Sequence, residues 1–160
     1  MNDTFIDRTF SVISDILVDL LPTSKRNKTS FSYYRSGLGA QSEGRYVEAV
    51  RNYFESLQGD TDPFDRGYSF YNLGVIYVSN GKEEIALNLF QRSLQNNPFL
   101  YAAQYNVGCI YHNLGEKAIR NDNTIEGKLF FTKAQDAWIE TSRFSSGKYP
   151  QIENFSSLQN

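Results

Sequence analysis

Tyr71-Asn72-Leu73-Gly74-Val75-Ile76-Tyr77 recurs 34 residues later as Tyr105-Asn106-Val107-Gly108-Cys109-Ile110-Tyr111, with five identities in seven positions. A unit of that length cannot bury its own apolar face, so copies of it have to stack. The residues around the repeat define the unit. Phe70, Leu73 and Tyr77 lie at i, i+3 and i+7, one apolar stripe on a first helix, and Ala86 and Phe90 lie at i and i+4 on a second. Gly74 has no side chain and lets the two helices approach closely, while Asn80-Gly81 supplies the turn between them, with Gly81 able to adopt positive φ. Pro98 ends the second helix, since it has no N–H to donate and biases Asn97 away from helical geometry.

A hairpin with this period and these glycines is the tetratricopeptide repeat. Upstream, Tyr33, Gly37, Ala40, Gly44, Ala49, Tyr53 and Ser56 follow the same pattern, with three extra residues in the turn-rich connector from Gln58 to Pro63. Downstream, Tyr101 to Gly115 repeats the first helix, and then the register breaks. The next small-aromatic-small set is Gly127-Phe131-Ala134 or Ala134-Trp138-Thr141; the second puts the only Trp at the large packing site. It calls for a first helix running to about Arg120 and a turn at Asn121-Asp122-Asn123. The expected fold is all-α, a tetratricopeptide-repeat superhelix of three helical hairpins at about residues 31–63, 67–100 and 101–144, with an N-terminal amphipathic helix within residues 1–22, a polar linker at 23–30 and a tail at 145–160. The N-terminal helix shows Ile6, Phe10, Ile13, Leu17 and Leu20 on one face and Asp7, Asp15 and Asp19 on the other. Those carboxylates would be repelled by anionic lipid, so the helix is expected to cap the first repeat or meet a partner protein.

Sixteen basic and eighteen acidic residues leave no broad positive surface, so nucleic acid is not an expected partner. One Cys and one His exclude a disulfide framework and a Cys/His structural zinc site. Gly37-Leu38-Gly39 lacks the third glycine of a dinucleotide loop, and Gly81-Lys82-Glu83 lacks the Ser or Thr of a phosphate loop. Asp60, Asp62 and Asp65 resemble part of a calcium loop, but Tyr71 stands where its bidentate Glu would be. Cys109 and His112 share a helical face with no third catalytic partner. The expectation is a protein that is not an enzyme and that holds no cofactor and no metal.

In stacked hairpins the first helices line the concave side, the default place for a bound polypeptide. Their outward positions are Phe31, Tyr34, Leu38 and Gln41, then Tyr68, Tyr71, Val75 and Val78, then Ala102, Tyr105, Cys109 and His112. Tyr34, Tyr71 and Tyr105 occupy equivalent places and would form a ladder, one rung per repeat. Tyrosine there offers contact area at low entropic cost and a hydroxyl for a peptide backbone. Asn72 and Asn106, beside the ladder, carry donor and acceptor for an extended main chain. Modules that clamp C-terminal carboxylates place Lys or Arg where this chain has the three tyrosines, so a two-carboxylate clamp is not expected.

The connectors carry a more specific signal than the repeat. Phe-Ile-Asp-Arg-Thr-Phe-Ser at 5–11, Ala-Gln-Ser-Glu-Gly at 40–44, Asp-Pro-Phe-Asp-Arg at 62–66, Ser-Asn-Gly at 79–81, Asn-Pro-Phe-Leu at 97–100 and Gly-Glu-Lys-Ala-Ile-Arg at 115–120 are not required by stacking. In these phrases the chain resembles, over roughly residues 5–140, the tetratricopeptide-repeat family of photosystem I assembly proteins found in plastids and cyanobacteria. The resemblance implies a non-catalytic assembly chaperone or scaffold that binds unassembled photosystem I subunits. It also implies a peripheral place on the stromal side of the plastid thylakoid membrane, and leaves room for a helper protein on the N-terminal helix. The alternative is a permanent structural adaptor subunit of a larger membrane-associated complex.

Overall fold

The computed structural model describes residues 25–143. The regular structure there is helical: α1 (Lys25–Ser42), α2 (Tyr46–Gly59), α3 (Pro63–Ser79), α4 (Glu83–Asn96), α5 (Tyr101–Arg120) and α6 (Thr124–Ser142). The helices pair as α1 with α2, α3 with α4 and α5 with α6. That is the helical-hairpin packing of a tetratricopeptide protein, the fold class expected from the repeat. The expected N-terminal amphipathic helix and the tail at 145–160 lie outside the described residues. The chain divides into two compact units, Met1–Thr61 with the first hairpin and Asp62–Asn160 with the other two.

α1 starts at Lys25, so most of the stretch expected as a polar linker is its opening turns. Polarity alone does not break a helix. Lys and Arg are good helix formers, and no Gly or Pro stands between Pro22 and Gly37. In this hairpin Ala49, Tyr53 and Ser56 of α2 are fully buried. Gly37 explains how: a Cβ there would lie 2.7 Å from Cε1 of Tyr53, so only a glycine lets that ring reach α1. The Tyr53 hydroxyl donates to Oε1 of Gln41 at 2.7 Å, which satisfies the polar end of a buried side chain. Gly44 makes the turn at φ +76°, a conformation other residues adopt at a cost.

In the second unit Asp62 caps α3, accepting from the Phe64 N–H at 2.7 Å, and Pro63 occupies the first turn, where no N–H is missed. α3 and α4 close on each other at two points. Ser93 donates its hydroxyl to the Gly67 carbonyl at 2.8 Å, and Phe90 sits over Gly74, where a Cβ would meet its Cε1 at 2.7 Å. Phe90 is wholly buried, worth roughly 1.5–3 kcal/mol for a side chain of that size. It belongs to a core cluster that α5 completes with Ala103, Val107 and Ile110 and α6 with Ala137. At the surface, Glu83 at the start of α4 receives Lys117 and Asn113 of α5.

The third hairpin is the same device made longer. Gly44 and Gly81 each stand seven residues after the glycine that receives the aromatic ring and nine before that ring. Asp122, at φ +59°, stands fourteen after Gly108 and sixteen before Trp138. Each helix has therefore gained seven residues, close to two turns, which leaves every face where it was. The added turns repeat the packing: Phe131 covers Gly115, with a virtual Cβ at 2.8 Å from Cδ1, and Ile119 covers Gly127. Phe131 and Trp138 are both ring partners, one heptad apart, so the two sequence matches are successive layers of one hairpin.

Candidate protein-binding face

Each first helix places a tyrosine three residues before its packing glycine, and that tyrosine leans on the aromatic the glycine admits. Tyr34 lies 5.9 Å from Tyr53 in the first unit. In the second unit Tyr71 lies 5.8 Å from Phe90, and Tyr105 lies 6.5 Å from Trp138. All three are half-buried. The packing gives every one a fixed orientation, which is what lets a surface aromatic anchor a partner at low entropic cost.

In the first unit Leu38 is exposed beside Tyr34. In the second, α3 presents Tyr68, 46% exposed, followed by Tyr71 and Val75. Tyr71, Val75, Val78 and Ala102 pack together on the one core cluster, so the outward faces of α3 and α5 share a floor. Along α5, Tyr105, Cys109 and His112 follow one stripe, and His112 fits against two rings, Phe131 at 5.3 Å and Trp138 at 5.7 Å. Burial pushes the Cys109 thiol up from its ordinary value, while hydrogen bonding with Tyr105 and Trp138 pulls the other way. It is a poor nucleophile at neutral pH.

The two asparagines are placed differently from the tyrosines. Asn72 is only 9% exposed, and the Asn106 amide donates to the Ala102 carbonyl of its own helix at 2.7 Å. Spacing puts both beside the ladder, but helical spacing does not reveal that a side chain will turn back to its own backbone. One feature escaped the repeat pattern. The α5 stripe runs on past His112 into Glu116, Ile119 and Arg120, which with Phe131 line an open cavity of about 360 Å³. The signal was present as continued i+3/i+4 spacing, and it was hidden because no other repeat has these turns.

Among the described residues no group of acidic, His and Cys side chains is placed to hold a metal, and no helix is long and apolar enough to cross a membrane. What each first helix offers is aromatic area beside its packing glycine. No family model matches the chain. Individual proteins do. The chain is 42% identical over 154 residues to the photosystem I assembly protein Ycf3 of Chaetosphaeridium globosum, covering 96% of this chain and 91% of that one. It belongs to the Ycf3 family. The Ycf3 proteins of Cyanophora paradoxa and Cuscuta gronovii are each 40% identical, again over 96% of this chain and over 89% and 92% of theirs.

For a Ycf3-family chain the connector phrases have a local structure of their own. Asp62 and Asn97 each stand before a Pro-Phe pair, and each accepts from the phenylalanine N–H, at 2.7 Å to Phe64 and 3.1 Å to Phe99. The same turn thus opens the approach to α3 and to α5, and it holds Phe64 and Phe99 in solvent.

Proposed function

We propose that this chain is a non-catalytic assembly factor for photosystem I, which holds unassembled subunits against the first-helix faces of its hairpins. The names of its relatives support the assembly role. The recurrence of a half-buried tyrosine three residues before each packing glycine carries the choice of face. Tyr34 and Leu38 offer such a contact in the first unit, and Tyr68, Tyr71, Val75, Tyr105, Cys109 and His112 offer one in the second. Asn72 and Asn106 tune it from behind. The protein acts peripherally on the stromal side of the thylakoid membrane, and a helper protein docks on the N-terminal helix.

The test is capture of newly made photosystem I subunits by the purified chain, followed by cross-linking and mass spectrometry. Tyr71→Ala with Tyr105→Ala should lower capture several-fold. Both rings also pack in the core, so capture is measured well below the variant's melting temperature, with helical circular dichroism as control. Undiminished capture by the folded double variant would remove the face from the mechanism. Stoichiometric retention in the mature complex would replace a transient assembly factor with a structural subunit.

A further inference from the structure

The outward stripe of α3, from Tyr68 through Tyr71 and Val75 to Val78, carries no charge, and neither does that of α5 from Ala102 through Tyr105 and Cys109 to His112. Charge begins at Glu116, where the extra heptad begins. There the stripe opens into the cavity lined by Glu116, Ile119, Arg120 and Phe131. Among the described residues neither Glu116 nor Arg120 makes an ion pair, although they stand four apart on one helix.

Two features of this cavity favour a cation. The Glu116 carboxylate is unpaired, and the partly exposed Phe131 ring can receive a cation on its face. Ile119 and Phe131 form an apolar wall suited to the aliphatic stem of Lys or Arg. Arg120 opposes a cation, but it is exposed and at the helix end, free to turn to solvent.

We propose that the lengthened third hairpin is a terminal subsite that takes a Lys or Arg following an uncharged apolar segment, the segment lying on the tyrosine-bearing face and the basic side chain on Glu116 and Phe131. This rests on the face being a polypeptide-binding site. An apolar stretch ending in a basic residue is the pattern at the end of a membrane-spanning segment that faces the compartment of synthesis, because Lys and Arg accumulate there. The ligand class is therefore the boundary of a spanning segment in an unassembled membrane subunit, bound before insertion or at the membrane surface.

The experiment uses the full chain and three fluorescein-labelled peptides with one uncharged Ala/Leu/Val/Phe body, ending in an amidated Lys, Ser or Glu, titrated by fluorescence anisotropy. The expected order is Lys tightest and Glu weakest, about tenfold apart, with the gap shrinking at high salt. Glu116→Lys should invert the order and leave the Ser peptide unchanged. Glu116 is a surface residue, so the variant folds, and circular dichroism confirms it. Equal affinity for the three peptides, or an order indifferent to Glu116→Lys, overturns the subsite while leaving the face intact, provided that Tyr71→Ala with Tyr105→Ala still weakens all three. Absence of binding by any peptide, or binding indifferent to the tyrosines, overturns the face and the subsite with it.

Discussion

Trp138 covers the backbone at Gly108 and donates its Nε1–H to the carbonyl of Tyr105 at 3.3 Å, so one side chain of α6 fixes both the glycine and the tyrosine of α5. The stability of the third hairpin and the orientation of its outward tyrosine therefore depend on one contact. Gly108→Ala would place a methyl group inside the indole, and the hairpin would have to part. The expected cost is about 1–3 kcal/mol, the range for overpacking a close contact. Gly74→Ala, against Phe90, should cost a similar amount. Urea titration followed by circular dichroism measures both.

Gly39→Ala should do the opposite. Gly39 lies inside α1, and nothing comes within 4 Å of where its Cβ would be. Alanine there lowers the entropy of the unfolded chain and adds helix propensity without a clash, a gain of about 0.5–1 kcal/mol. A loss in the same urea titration would mean that the glycine serves a contact outside the hairpin.

Gly37 and Gly74 were legible because the repeat signature sets each sixteen residues before a large aromatic, Tyr53 and Phe90. The third hairpin was harder, and the reason is geometric: seven residues are nearly two turns, so Phe131 and Trp138 fall on the same face and either satisfies the pattern. Only coordinates reveal that the hairpin uses both, against Gly115 and Gly108. The start of α1 at Lys25 was missed for another reason, since a polar run without Gly or Pro reads as linker until a neighbour buries Ser30. On the candidate face, tyrosine positions followed from spacing. The inward turn of Asn106 and the cavity beyond His112 did not, because each depends on side-chain geometry that a period does not encode.

Alkaline pH should act through Tyr53. Burial pushes its hydroxyl well above the ordinary tyrosine range, and nearby Tyr34 adds to the effect. A raised value means that the native state holds this proton more tightly than the unfolded chain does. The stabilisation is thus complete below the unfolded tyrosine value of about 10 and is lost as pH rises beyond it. Tyr53→Phe should cost about 1 kcal/mol at neutral pH through the lost bond to Gln41, and should flatten the alkaline fall in the urea midpoint. An equally steep fall in the variant would assign the alkaline loss to other groups.

Cys109 should react slowly with a disulfide reagent at neutral pH compared with the same chain in urea, because burial keeps its thiol protonated and half covered. The rate should rise with pH. A peptide seated on the tyrosine face should slow it further, since Cys109 lies between Tyr105 and His112 on that stripe. Labelling at equal rates with and without bound peptide would place the peptide elsewhere.

Asp122 holds the turn between α5 and α6 at φ +59°, the conformation that Gly44 and Gly81 take in the other two hairpins at +76° and +70°. Aspartate tolerates the left-handed region better than most residues but still crowds its Cβ against the backbone. Glycine removes that crowding and costs some entropy in the unfolded chain, so Asp122→Gly should stabilise the chain by about 0.5–1 kcal/mol. The reciprocal change, Gly81→Asp, should destabilise by about the same amount, since a Cβ at Gly81 meets nothing within 4 Å and only the backbone conformation is at stake. Urea midpoints moving in opposite directions would make the three turns equivalent. A loss on Asp122→Gly would mean that the carboxylate, and not the turn, stabilises the third hairpin.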